Sequence, residues 1–314
     1  SLEPNMGSAE LHGVVVPAIT PLDDAENVDE AAFRKVIRRL IDHRVHAIFV
    51  GGSAGEGPLL TVAQWHRMAE IAIAEVRAEL PLLGGVMETS SRRACEKIKA
   101  LKGLGYRYLV LTPTFYIAVR TASEHLRLFG EAKEAAADME LIAYNIPQCT
   151  GSSLAVDTIC EMARRGWIRC CKESSGDWEY LKALLQRAPA AGLTVLAGDE
   201  KAAGEALLNG AGGIVPVCAN YDPATFLRLY DAARARDRGE VGRLMARVEL
   251  LRESLPLSGP CWLSGIKYAL CALGIGSGRP LSPLEPADPQ RMARIAALIE
   301  NDKLNRQTPA RRNP

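Results

Sequence analysis

Apolar residues along this chain fall into two alternating kinds of run. Short, nearly unbroken runs occur at GVVVPAI (13–19), AIFVGG (47–52), LLGGVM (82–87) and YLVLTP (108–113), then at LIAYN (141–145), IRCCK (168–172), TVLAG (194–198) and GIVPV (213–217). Runs of this length and composition read as parallel strands buried on both faces. Between them the spacing becomes helical. After Asp29, which reads as an N-cap, Phe33, Val36, Ile37, Leu40 and Ile41 repeat at the spacing of one buried helix stripe. Thr61 with Gln64, and Thr121 with Glu124, have the form of capping boxes that open later helices. Gly103 and Gly105 supply a stop after ACEKIKAL.

Eight strand candidates, each followed by a helix, predict an α/β fold: a (β/α)8 TIM barrel with a C-terminal helical extension. A doubly wound sheet is the rival. It would need fewer strands and usually a glycine-rich dinucleotide turn after the first, where this chain has PAITPLDD. The expected boundaries are a disordered lead over 1–11, the barrel over 12–221, a helical region over 222–304 and a flexible tail over 305–314. The helical region is read from stretches such as TFLRLYDAARAR and EVGRLMARVELLRESL, which carry no strand pattern.

Composition narrows the partners more than the fold. The 314 residues carry 38 Lys+Arg against 37 Asp+Glu, a net charge of +1, so neither nucleic acid nor an anionic membrane is expected as the main partner. No apolar run approaches the roughly 18 residues of a membrane helix, and no signal peptide opens the sequence. The eight cysteines include no C-x-x-C and suit reduced thiols in a cytoplasmic protein. The five histidines lack H-x-x-x-H spacing, so no metal site is expected.

In a barrel of this kind, chemistry gathers at the C-terminal ends of the strands. Those ends hold Ser53, Tyr116, Tyr144, Lys172 and Asp199. Each has an ordinary alternative. A tyrosine closing a strand can be a packing residue with a wet hydroxyl, Asp199 after Gly198 can cap the next helix, and a lysine at a strand end can simply reach water. The glycines of GGSAGEG (51–57) serve either a tight turn or an anion nest of backbone N–H groups. What distinguishes the set is a lysine and a neighbouring-strand tyrosine at one mouth. A free lysine keeps only about 0.04% neutral amine at pH 7. An amine used as a nucleophile therefore needs an apolar pocket that disfavours the ammonium.

GGSAGEGPLLT, Thr112-Pro113, YNIP (144–147), CKESSGD, GDE (198–200) and GIKYALCALG ahead of GRPLSPLEP occur in this order and spacing. By these motifs the chain resembles the dihydrodipicolinate synthase / N-acetylneuraminate lyase family over residues 12 to about 300. The resemblance implies a class I aldolase or lyase that works through a lysine imine, with no cofactor and no metal. Lys172 matches the imine-forming lysine, Tyr144 the tyrosine that shuttles protons beside it, and Ser53 the Ser or Thr of the proton relay. The N–H groups of Ser53 and Ala54 would hold the pyruvate carboxylate, and Val215 matches the apolar position against its methyl. Gly198 and Asp199, in the matching GDE, are read as substrate-binding, and Asp199 and Glu200 are the only candidates for polyol recognition. The partners so implied are a small keto acid and an aldehyde, in a homo-oligomer, tetramer or dimer.

Three departures qualify the match. Cys149 stands where dihydrodipicolinate synthases have an arginine that grips the aldehyde's carboxylate, and a thiol cannot replace a bidentate guanidinium. Phe115 occupies the usual relay-tyrosine position, with Tyr116 one residue later. Ala54 removes a hydroxyl. The expected reaction is therefore cleavage or formation of a 2-keto-3-deoxy sugar acid or 4-hydroxy-2-oxo acid, with a dehydratase also open. The alternatives are 4-hydroxy-tetrahydrodipicolinate synthase and a keto-acid-binding barrel without turnover.

Overall fold

A computed structural model describes residues 11–255 and 262–307, with side chains described as far as Leu304. Eight parallel strands, β1 Gly13–Pro17, β2 Ala47–Val50, β3 Leu82–Val86, β4 Tyr108–Leu111, β5 Glu140–Asn145, β6 Ile168–Glu173, β7 Thr194–Ala197 and β8 Gly213–Ile214, pair in chain order. The ring closes where Gly13 and Val14 pair with Gly213 and Ile214. Around it lie α1 Glu30–Asp42, α2 Val62–Val76, α3 Ser91–Gly103, α4 Ala122–Ala136, α5 Pro147–Thr150, α6 Val156–Arg164, α7 Trp178–Arg187 and α8 Ala203–Leu208. The helices α9 Pro223–Arg234, α10 Arg238–Ser254, α11 Trp262–Ala272 and α12 Pro289–Gln307 complete the fold. The chain is a (β/α)8 barrel with a C-terminal helical extension, as the alternating runs predict.

Local chemistry accounts for most boundaries. Asp29 accepts the Ala32 N–H at 2.9 Å and starts α1. Both expected capping boxes form: Thr61 and Gln64 exchange side chain-to-backbone hydrogen bonds at 2.9 and 3.2 Å, and Thr121 and Glu124 do the same. Six strands are shorter than their apolar runs, whereas β5 and β6 each take in one residue more, Glu140 and Glu173. β4 stops before Thr112-Pro113 and β8 before Pro216, because proline has no N–H to continue the ladder. Helix α11 has no clear stripe in the sequence because it is buried on most of its circumference, with Leu263, Ser264, Gly265, Ile266, Lys267, Ala269 and Leu270 all inside.

Two cores result from strand alternation. Val14 and Val16, Ile48 and Val50, Leu141 and Ala143 face the helices. Their neighbours Val15, Phe49, Ile142 and Tyr144 fill the barrel, with Leu83, Val110, Leu196 and Val215. Leu11, placed by sequence at the end of the lead, is buried with this inner group; residues 1–10 and 308–314 lie outside the described residues. The period breaks once. Leu141 pairs with Ile168, but Ile142 pairs with Cys170, so Arg169 is bulged out of the ladder. Ile168 consequently faces the helices while Cys170, two residues on, faces inward.

Among the described residues Cys95, Cys149, Cys160, Cys171, Cys218 and Cys271 are free thiols, and Cys261 lies outside them. Among the described residues no helix is long and apolar enough to cross a membrane.

Candidate active site

Past the bulge, Tyr144 pairs with Lys172 and Lys172 with Leu196 across three adjacent strands. Residues in register on parallel strands point to one side, so the amine and the phenol share the barrel's inner face. Lys172 is 7% exposed and Tyr144 2%. The Lys172 Nζ lies 3.9 Å from the centroid of the Tyr144 ring and 5.3 Å from that of Phe49. The two rings meet edge to face, 6.4 Å apart. Lys97, Lys102, Lys267 and Lys303 each pair with a carboxylate. Among the described residues Lys172 has no such partner, only aromatic faces.

A network behind the strands holds this pair in place. Asn145 and Glu173, next in sequence to Tyr144 and Lys172, turn to the opposite face, where Asn145 Nδ2 donates to Glu173 Oε2 at 2.7 Å. The Ser175 N–H donates to the other carboxylate oxygen at 2.6 Å, and Asn145 Oδ1 accepts from the Leu154 N–H at 2.9 Å. Burial raises the Glu173 pKa, opposed by these hydrogen bonds. No role was assigned to Glu173 or Asn145 from sequence. The signal was strand alternation itself, which sends the residues after two inward neighbours to a common outer position.

The Lys172 amine opens into a cavity of 430 Å³ at the C-terminal end of the barrel, whose lining includes Ser53, Ala54, Tyr144, Val215, Gly198 and Asp199. Seven of the sequence candidates, Lys172 included, thus share one space. Gln148, Ser174, Ser175, Lys201, Arg252 and Trp262 join them; none was singled out from sequence, and Arg252 and Trp262 arrive from the C-terminal region. Asp199 also does what its ordinary alternative requires, accepting the Lys201 N–H at 3.0 Å as a helix cap. Glu200 beside it is buried, its Oε1 accepting the Cys218 N–H at 2.7 Å, and burial raises its pKa.

Cys149 is an exposed residue. Desolvation of its sulfur pushes the thiol up, against the pull of the Lys172 charge and of the Ser53 side chain. Tyr116 is not brought to the cavity in a single chain. Its backbone is left-handed, with φ 74°, and its side chain is 93% exposed beside the exposed Ile117, while Phe115 packs against the inner core.

The sequence profile of the dihydrodipicolinate synthetase family matches residues 10–302. The chain belongs to that family. It is 32% identical over 289 residues, 91% of this chain and 92% of the other, to an uncharacterised DapA-like lyase of Halobacterium salinarum. The dihydrodipicolinate synthase of Bacteroides thetaiotaomicron superposes with a TM-score of 0.88 at 27% identity, covering 94% of this chain and all of that one. The chloride-inhibited dihydrodipicolinate synthase of Acinetobacter baumannii, complexed with pyruvate, superposes with a TM-score of 0.85 at 26% identity over 93% and 99% of the two chains. This family member is accordingly a lyase, of the aldolase type.

Gly198 leaves the Lys172 chain little room. A Cβ there would meet Ser174 Oγ at 2.0 Å, Lys172 Cε at 3.0 Å and the Glu173 carbonyl at 3.1 Å, whereas one at Gly103 would meet nothing within 4 Å. Gly198→Ala is therefore expected to destabilise the fold by about 1–3 kcal/mol. Gly103→Ala should leave it unchanged or raise stability by up to about 1 kcal/mol. Unfolding of the two variants beside the parent checks this, and equal shifts would show that the crowding at 198 is not felt.

Proposed function

We propose that the chain is a Schiff-base aldolase acting on a 2-keto acid, with pyruvate as one half of the reaction and Lys172 as the imine-forming amine. The observation that carries this reading is a lysine buried inside a barrel, beside a tyrosine and without a carboxylate partner among the described residues. A structural lysine at that depth would normally be paired. The pyruvate complex of the Acinetobacter baumannii relative supports the choice of keto acid.

In the cleavage direction the Lys172 nitrogen attacks the C2 carbonyl carbon, and loss of water leaves an iminium. The bond between C3 and C4 then breaks, and its electron pair passes toward the nitrogen to form an enamine. Tyr144, left as the phenolate after giving its proton to the departing water, takes the C4 hydroxyl proton, and the C4 fragment departs as an aldehyde. Protonation at C3 and hydrolysis release pyruvate and the free amine. The iminium is the electron sink, so the reading calls for neither metal nor organic cofactor. Ser53 and Ala54 offer backbone N–H groups to the carboxylate, Val215 an apolar wall to the methyl, and Ser53 a hydroxyl for the relay. The reading also makes the chain a homo-oligomer. Tyr116 and Ile117, both exposed on the loop after β4, are suited to an adjoining copy.

Cys149 is the basis for reading the second substrate as something other than aspartate semialdehyde. With no guanidinium at that position, and with Gln148, Ser174 and Ser175 lining the cavity, a hydroxylated aldehyde fits better than aspartate semialdehyde. The products of condensation would be 2-keto-3-deoxy sugar acids or 4-hydroxy-2-oxo acids. One observation favours the alternative, 4-hydroxy-tetrahydrodipicolinate synthase: Arg252 and Lys201 line the same cavity and offer cationic partners to a second carboxylate.

Two measurements separate these. Condensation of pyruvate with aspartate semialdehyde should fall well below about 10⁴ M⁻¹s⁻¹, and pyruvate release from hydroxylated keto acids should exceed it; the reverse order restores the synthase assignment. Tyr144→Phe should keep the fold and lose about 10²–10⁴-fold in turnover. Near-normal turnover would mean that another group moves the proton.

A further inference from the structure

The loop after β2 and the C-terminal helices meet in a fully buried ion pair. Glu56 is 0% exposed and Lys267, on α11, is 2% exposed. Lys267 Nζ contacts Glu56 Oε2 and donates to the Arg279 carbonyl at 2.8 Å. Glu56 Oε1 accepts the Leu281 N–H at 2.6 Å. One carboxylate thus ties the loop both to α11 and to the segment beyond it. The motifs GGSAGEG and GIKYALCALG carry these two residues, and the reaction outlined above uses neither.

Glu56 closes the turn that bears Ser53 and Ala54. Its N–H donates to the Ser53 carbonyl at 3.1 Å, and its backbone is held at φ 56°, a region that residues with a Cβ seldom adopt. On the other side of the turn, the Thr20 hydroxyl donates to the Gly55 carbonyl at 2.8 Å. Ala54 packs against Leu263, and Trp262, one residue earlier on α11, lines the cavity. The same helix therefore walls the site and grips the loop.

A buried ion pair is a poor source of stability compared with apolar side chains of equal volume, because both charges lose their hydration. Such a pair can instead select one arrangement over others. The arrangement in question is that of Ser53 and Ala54, which line the cavity from the turn that Glu56 closes. We infer that Lys267 is a positioning residue: acting through Glu56, it holds these amides where they bind the carboxylate of the keto acid. This rests on the Schiff-base reading. It makes the C-terminal extension part of the carboxylate site, although neither residue of the ion pair lines the cavity.

The test compares a charged ketone with a neutral one. Borohydride trapping of the imine is titrated with pyruvate and with methyl pyruvate, which lacks the carboxylate charge, for the wild type, Lys267→Met, Glu56→Gln and the neutral double variant. The half-saturating pyruvate concentration should rise about 10–100-fold in the single variants, the range for a weakened hydrogen bond to a charged group. That for methyl pyruvate should stay within about threefold of wild type, since no charged hydrogen bond is at stake. The double variant, which leaves no unpaired buried charge, should recover stability but not pyruvate affinity. If Lys267→Met does not fold, Glu56→Gln, which is isosteric, and the double variant carry the comparison. Equal shifts for both ketones would make the pair merely structural and overturn the inference alone. A wild type that traps neither ketone would overturn the Schiff-base reading itself.

Discussion

Side chains on a strand alternate between two faces, so a slip of one residue in β6 would turn Lys172 away from the barrel interior and toward the helices. The bulge at Arg169 sets that phase. It leaves Ile168 facing outward and brings Cys170 and Lys172 inward, in register with Ile142 and Tyr144. Arg169 itself is carried to the surface, its guanidinium 3.8 Å from Glu140. Everything that makes the amine unusual follows from this offset: its burial, its position over the Tyr144 ring, and its access to the cavity shared with Ser53 and Val215. The Asn145–Glu173 hydrogen bond on the opposite face of the same strand pair keeps the two inward side chains side by side.

Among the described residues two lysines are buried, in different settings. Lys267 has a carboxylate, a backbone carbonyl and a rigid helix around it. In that setting its positive charge is compensated, which suits it to hold other groups still. Lys172 has ring faces, and the stabilisation these give a cation is weaker than that of a desolvated carboxylate. The depth of burial is similar; the partners differ, and on the Schiff-base reading that difference marks Lys172 as the reactive lysine.

Much of this was legible in the sequence. The eight apolar runs, the Asp29 cap and both capping boxes depend on residues close together in the chain, where spacing alone carries the information. The ends of β4 and β8 were overextended because apolar character continues past the point where Pro113 and Pro216 interrupt the ladder. The bulge was not legible, since IRCCK offers no polar–apolar alternation from which to read a phase. Helix α11 hides its period by being buried nearly all round. In the site, residues at strand ends were found because barrel geometry predicts where they go. Gln148, Arg252, Trp262 and the Glu56–Lys267 pair depend on contacts between distant segments, and Tyr116 on a left-handed backbone that residue spacing does not reveal.

The measurement that tests the account most directly identifies the lysine that carries the substrate. Wild-type protein is reduced with borohydride in the presence of pyruvate, digested, and mapped by mass spectrometry. A single lactyl-type adduct is expected on the peptide bearing Lys172, absent from Lys172→Ala. An adduct on Lys201 or Lys267 instead, or one that survives Lys172→Ala, would contradict it.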